Sequence, residues 1–274
     1  MEVTLEGRGA MDARPRAASV RRYWYPLAAL VRRDVKKRYA ASLLGAAWMV
    51  LQPLILLALY VFVFAVILRS GKDAHAAREF SLYLLAGMLP YLAIVDGLHR
   101  AIWALREDRS LLERETFPAE VLPLARVVTA SVAEAVGLAL LIALAAFLGR
   151  TPSPWLAVLP VLVVCRLTLT AGLAWILSTL AIFVADLAEV LSLLLTCWLF
   201  LTPIFYASAD VPPVLRWLLV VNPLHHLVRA YRSVLIDGGN PTADALAVVA
   251  AAAIVAAAGL WFFHKTIDRG KDFL

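Results

Sequence analysis

From residue 43 onward the chain is a series of long apolar runs separated by short polar breaks. Leu43–Leu68 holds 26 residues without a charge, and Leu246–Phe263 holds 18. Four runs lie between them. Leu82–Leu105 is apolar in its first half but carries Asp96, His99 and Arg100 in its second, and Val121–Leu148 contains Arg126 and Glu134. Trp155–Val184 contains Arg166, and Leu187–Tyr206 has Glu189 near its start. A helix crosses the bilayer core in about 20 residues, so the pattern predicts an all-α membrane protein with six transmembrane helices. Two further stretches, Val211–Val221 and Pro223–Ile236, are broken by Asn222-Pro223 and interrupted by Arg216, Arg229 and Arg232. They are too short to cross, and read as a re-entrant or interfacial helix pair between spans 5 and 6.

The first 42 residues are polar and basic, without the apolar core of a signal peptide. The apolar positions Val20, Tyr23, Trp24, Leu27, Val31, Val35 and Tyr39 recur there at spacings of three and four. Arg21, Arg22, Arg32, Arg33, Lys36 and Lys37 take the other face. This predicts an amphipathic helix lying in the membrane interface, opened by Pro26 in its first turn. A solvated basic segment is the plainer alternative. The chain thus divides into an N-terminal segment (1–42), a transmembrane domain (43–264) and a short tail (265–274).

Composition narrows the class. The chain is 62% hydrophobic and 17% charged, whereas soluble domains run to roughly 45–50% apolar and about 25% charged. That excludes a water-soluble globule, a disordered chain and a disulfide scaffold. The net charge of +6 is topological. With the N-terminus inside, 18 Lys and Arg residues fall on the cytoplasmic side and 7 outside, with Arg166 in the membrane. The bias puts both termini in the cytoplasm and leaves no basic patch for nucleic acid. Cys165 and Cys197 lie alone in apolar runs and read as small core residues.

Catalytic signatures are missing. The sequence has no G-x-x-x-x-G-K-[ST], no G-x-S-x-G and no H-E-x-x-H. His225 and His226 are adjacent, so on a helix they point about 100° apart and make a poor metal site. No metal is expected. The intramembrane charges Asp96, Glu134 and Arg166 are more telling, because each costs roughly 2.5–3.5 kcal/mol at a helix centre unless it faces a partner or water. Counted from the outer ends of their spans, Glu134 and Arg166 differ in depth by only about 4.5 Å, with Asp96 close by. Arg166 is therefore expected to pair with Glu134 or Asp96, either locking the helices or lining a polar conduit.

Four stretches then fall in order. Arg38-Tyr39 leads through Ser42 and Gly45 to Trp48 and Gln52-Pro53, followed by Leu85-Ala86-Gly87 with Pro90-Tyr91. Thr116-Phe117-Pro118 runs on to Glu120 and Pro123, and Leu201-Thr202-Pro203 runs on to Tyr206, Asn222-Pro223 and Tyr231-Arg232. Together, from about Arg33 to Lys271, they resemble the membrane permease of type-2 ABC exporters that move polysaccharides.

The resemblance implies a half-transporter in the bacterial cytoplasmic (inner) membrane. It would pair with a second copy of itself as a homodimer and dock two separate ATPase subunits on its cytoplasmic side. No cofactor is expected in this chain, since Mg-ATP would sit on the partner ATPase. The cargo implied is a lipid-linked polysaccharide such as O-antigen, carried on a polyprenyl diphosphate. A drug or small-lipid exporter of the same class is the alternative, and a membrane enzyme of polyprenyl-phosphate sugar transfer a remote one.

By the same resemblance, Arg106–Glu120 is the loop that couples to the ATPase, with Leu111, Leu112, Glu113, Arg114, Phe117 and Pro118 as its candidate contacts; a plain solvated loop is the alternative. The helix Pro26–Arg38 would lie beside the same ATPase. Spans 1 and 5 would wall the conduit. Tyr60, Phe64, Tyr91, Phe200 and Tyr206 are candidates to stack on sugar rings, although aromatics at this depth also form ordinary interface belts. Arg216, Arg229 and Arg232 are candidate cations at the outer mouth, able to meet phosphate.

Overall fold

The computed structural model describes residues 17–40, 44–63, 74–113 and 117–271, and contains helices and no strand among them. Four helical stretches are long and apolar enough to cross a membrane: Glu79–Ala101, Val121–Phe147, Pro154–Phe183 and Thr242–Gly270. They belong to helices α3 (Ala74–Ala101), α6 (Val121–Phe147), α7 (Leu159–Phe183) and α11 (Thr242–Lys271). Two shorter apolar helices, α2 (Trp48–Val61) and α8 (Leu187–Leu201), fall in the runs read as the first and fifth spans. The ends of the first run, with Phe64, lie outside the described residues.

Local chemistry sets the boundaries. α6 is followed by Gly149 at φ +80, a left-handed turn that stops the helix. Ser153 caps the next turn by accepting from Trp155 N–H at 3.3 Å, and Pro154 follows at the first position. α8 ends at Leu201, five residues before its predicted end, because Thr202 turns to extended backbone. Then come α9 (Arg216–Val221) and α10 (Pro223–Arg232). Asn222 breaks them where the sequence suggested, capping α10 by accepting from Leu224 N–H at 3.0 Å. The same side chain accepts from Trp198 Nε1 (2.8 Å) and donates to Thr202 Oγ1 (2.9 Å), tying the end of α8 to the α9–α10 corner.

α3 is central: 78% of the residues along its most apolar stretch are buried, against 22% in α11. It packs on α6, α7 and α10 through Leu84, Ile94, Leu98 and Tyr231. α7 and α11 meet backbone to backbone. A Cβ at Gly259 would stand 2.1 Å from the Gly172 carbonyl oxygen, so glycine is required there. Such close approach supplies the dispersion contacts that hold helices together where lipid offers no hydrophobic drive.

α1 (Ala17–Ala40) corrects one expectation. It does not open at Pro26 but carries that proline in its interior; a fixed φ near −65° fits a helix, at the cost of one N–H bond and of crowding the ring against the carbonyl one turn back. One face of it is buried against the bundle. Tyr23, Trp24 and Tyr25 are exposed, whereas Leu30 and Asp34 are buried with Leu27 and Val31 beside them. That face lies against Leu105, Leu112, Leu122, Phe263 and Ile267, so α1 is docked on the bundle.

Candidate functional site

Polar side chains converge at three places. The first is in the middle of the bundle. Arg166 on α7, with its side chain fully buried, pairs with Glu134 on α6 and donates through Nη2 to Ser131 Oγ at 2.7 Å. Tyr231 on α10 donates to the other Glu134 oxygen at 2.9 Å. Glu134 was one of the two partners expected for Arg166. Asp96, the other, instead accepts from Arg38 (2.7 Å) and Arg100 (2.9 Å). The network binds α6, α7 and α10 with charge-assisted bonds in a region of low dielectric, where an unpaired charge is costly. Beside it, Glu134, Asp96, His99, Arg38 and Gln52 line a cavity of about 290 Å3 between α2, α3 and α6.

The second lies at the end of the bundle carrying the short helices α4 (Ala104–Glu107) and α5 (Arg109–Leu112). Asp108 between them accepts both terminal nitrogens of Arg33, at 2.6 and 2.7 Å. Arg126 at the start of α6 donates to Asp34 (2.7 Å), Asp108 (2.8 Å) and Glu107 (2.9 Å), and Arg33 Nε closes the ring on Asp34 at 3.1 Å. Asp34, Asp108 and Arg126 are buried. The bidentate bond to Asp108 and the nearby carboxylates raise the pKa of Arg33 above its ordinary value, so it stays charged. This cluster fastens α1 to the α4–α5 turn and to α6. Reading the sequence missed it, although one signal was present: Asp34 is the single acid among the basic residues of α1.

The residues expected to meet an ATPase divide around this cluster. Leu112 and Pro118 are buried in the chain itself, and Leu111 and Phe117 are half-buried. Leu112 is thus corrected from a partner anchor to a core residue, because the face of α5 that carries it closes on Leu30 and Phe263. Glu113 is exposed and pairs with Arg109 at 3.6 Å. Arg114 lies outside the described residues.

The third place is the opposite end, where α10, the 202–221 segment and the start of α3 form a cleft of about 680 Å3. Arg216 and Arg229 are exposed at it. Arg232 is not, being only 2% exposed. Its Nε donates to Tyr83 O (3.1 Å), Nη1 to Pro203 O and Nη2 to Ile204 O (both 2.7 Å), and its guanidinium lies 3.5 Å from the centre of the Tyr83 ring. The expectation of a third free cation is corrected: the unwound stretch after α8 leaves carbonyls without helical partners, and Arg232 satisfies them. Burial lowers its pKa to about 10, so it remains a cation at neutral pH.

The candidate aromatics also separate. Tyr91 is buried and donates to Leu195 O at 3.0 Å, bracing α3 against α8 rather than facing open space. Phe200 is exposed, next to Phe205 and the half-buried Tyr206, whose hydroxyl donates to Phe200 O at 2.7 Å. Phe64 and the side chain of Tyr60 lie outside the described residues. The outward faces of α2 and α8 are apolar, with Leu54, Ile55 and Leu59 on one and Leu193, Leu194 and Phe200 on the other. Among the described residues no group of three His, Cys, Asp or Glu side chains is placed to hold a metal ion.

A helical bundle with four bilayer-length apolar helices and an ion pair buried at its centre has the architecture of a membrane protein. Residues 25–236 match the family described as ABC-2 type transporter, and the chain belongs to that family. Among its relatives is the O-antigen export system permease protein RfbA of Myxococcus xanthus, 31% identical over 248 residues, which span 90% of this chain and 92% of that one. The protein of the same name from Klebsiella pneumoniae is 25% identical over 249 residues, spanning 90% and 94%.

Proposed function

We propose that this chain is the permease subunit of an ATP-driven exporter that moves an O-antigen-type polysaccharide across the bacterial inner membrane. The observation that carries the reading is the full-length likeness to permeases named for O-antigen export. With α2 and α8 counted as spans, the chain crosses six times. Its charge bias sets the α1 and α4–α5 end, and both termini, in the cytoplasm. The α9–α10 pair then lies at the outer side.

The apolar faces of α2 and α8 suit a second copy across a shared conduit. The cargo is a glycan on a polyprenyl diphosphate. The α1–α4–α5 corner, tied by Asp34, Asp108 and Arg126, receives the separate ATPase that binds Mg-ATP. Co-expression with an ABC ATPase encoded nearby tests the reading. Co-purification as a two-plus-two complex, and lipid-linked glycan trapped in the cytoplasm after deletion of the permease, are expected. Surface glycan at normal levels after deletion refutes the cargo.

A further inference from the structure

The 680 Å3 cleft at the α9–α10 end is a built site with no occupant assigned to it. Tyr83, Ser208, Arg216, His225, Arg229 and Asp237 contribute to its walls. Arg216 uses Nε on Val211 O (3.2 Å) and Arg229 uses Nε on Asp244 (3.3 Å). The Nη groups of both have no partner among the described residues. Arg232 adds a fixed positive charge behind them. Two acids oppose these cations. Asp244 is shared between Arg229 and His226 Nδ1 (2.8 Å), and burial raises the pKa of Asp237.

His225 supplies an independent observation. It is 3% exposed, and its Nδ1 has no hydrogen-bond partner among the described residues. Burial and the neighbouring His226 and Arg229 hold its pKa at about 4, so the ring is neutral at pH 7. A neutral imidazole still has one N–H to give, and a buried polar nitrogen without a partner calls for one.

The rim identifies the kind of molecule. Beside the cleft, α9 exposes Trp217, Val220 and Val221, preceded by Val214 at 82% exposure. Cationic forks next to an apolar shelf with a tryptophan match an amphiphile lying at headgroup depth, its charge in the cleft and its chain along the shelf.

We infer that this cleft binds the phosphate headgroup of a membrane amphiphile through the terminal nitrogens of Arg216 and Arg229. The inference rests on the topology proposed above, which puts this end at the outer leaflet. Two sources share the chemistry: the diphosphate of a polyprenyl carrier and the phosphodiester of a bilayer lipid.

The test uses the full-length permease with its ATPase in phosphatidylcholine nanodiscs doped with either undecaprenyl diphosphate or phosphatidylglycerol. Retained lipid is counted by native mass spectrometry. The Arg216→Ala/Arg229→Ala variant is expected to lower retention of one or both by about tenfold or more. Arg216→Ala alone, a change at an exposed position, gives a smaller drop without risk to the fold, and Asp237→Asn raises retention. Loss confined to undecaprenyl diphosphate assigns the cleft to a carrier lipid, and loss confined to phosphatidylglycerol assigns it to the bilayer. Equal retention of both lipids by wild type and every variant, or retention of neither by wild type, overturns the site. ATP hydrolysis measured on the same discs reports separately on the exporter reading.

Discussion

Arg126 and Asp34 stand 92 residues apart in the sequence and meet at 2.7 Å, the shortest tie between the N-terminal helix and the start of α6. The contact makes α1, the α4–α5 turn and α6 one unit at the end of the bundle proposed to meet the ATPase. Asp34→Ala removes a buried acceptor but leaves Arg126 bonded to Asp108 and Glu107, so a loss of about 1–3 kcal/mol is expected. Thermal unfolding in detergent reads that loss. ATP hydrolysis by the assembled complex should also respond less to cargo, because the turn loses its hold on α1. A variant with unchanged unfolding and unchanged coupling would remove the cluster from the mechanism.

The buried pair of Arg166 and Glu134 gives a second expectation. Glu134→Gln or Arg166→Met alone strands a charge and costs about 3–5 kcal/mol, whereas the double change Glu134→Leu/Arg166→Met recovers much of the loss. Tyr231→Phe costs about 1 kcal/mol. A double-mutant cycle on melting temperatures checks this, and additive losses would mean that the two side chains do not interact.

Gly259 packs against the carbonyl of Gly172, so Gly259→Ala has no space without separating α7 from α11. Overpacking of this kind costs about 1–3 kcal/mol. Lower yield of the monodisperse protein and a lower melting temperature are expected, and a neutral result would show that the two helices part freely.

Leu112 and Phe117 now predict different outcomes. Leu112→Glu puts a carboxylate into the cluster of Leu30 and Phe263 and should damage folding. Phe117, half-buried at the edge, tolerates glutamate better, and Phe117→Glu should spare the melting temperature while reducing ATPase stimulation. Equal thermal damage from both would remove Phe117 as a coupling contact.

His225 gives a pH dependence. Its pKa falls from 6.5 to about 4 on folding, so between these values the unfolded chain binds the extra proton. Stability contributed by the neutral ring is therefore complete above pH 6.5 and is lost progressively as pH falls toward 4. The melting temperature of wild type should drop more steeply over that window than that of His225→Asn. Parallel slopes would mean that the ring stays accessible to protons when folded.

The legible parts were those set by local composition. Long apolar runs marked four bilayer-length helices because a bilayer tolerates few alternatives, and Asn222-Pro223 marked a corner because its side chain and ring act within two residues. Counting depth along the helices narrowed the partner of Arg166 to Glu134 or Asp96, the first of which it meets, since a rise of about 1.5 Å per residue transfers directly from sequence to distance. The cluster of Asp34, Asp108 and Arg126 was not legible, because the docking of α1 depends on which face it turns to the bundle. Periodicity puts Tyr23, Trp24, Leu27 and Val31 on one stripe, whereas packing turns Leu30 and Asp34 inward beside only the last two. Arg232 looked like a surface cation for a similar reason. The carbonyls it satisfies become free only because α8 stops early, where Pro203 pushes Thr202 to extended backbone, a stop that the apolar run to Tyr206 hides.

The three bonds of Arg232 have a consequence for movement. Tyr83 O belongs to α3, and Pro203 O and Ile204 O belong to the stretch beyond α8, so one guanidinium clasps three segments at once. Easing that stretch away from α3 by a small amount would strand buried carbonyls and a buried cation together, with no partial arrangement that satisfies either. Arg232 therefore acts as a pin, and three segments at this end keep their places relative to one another through a single side chain.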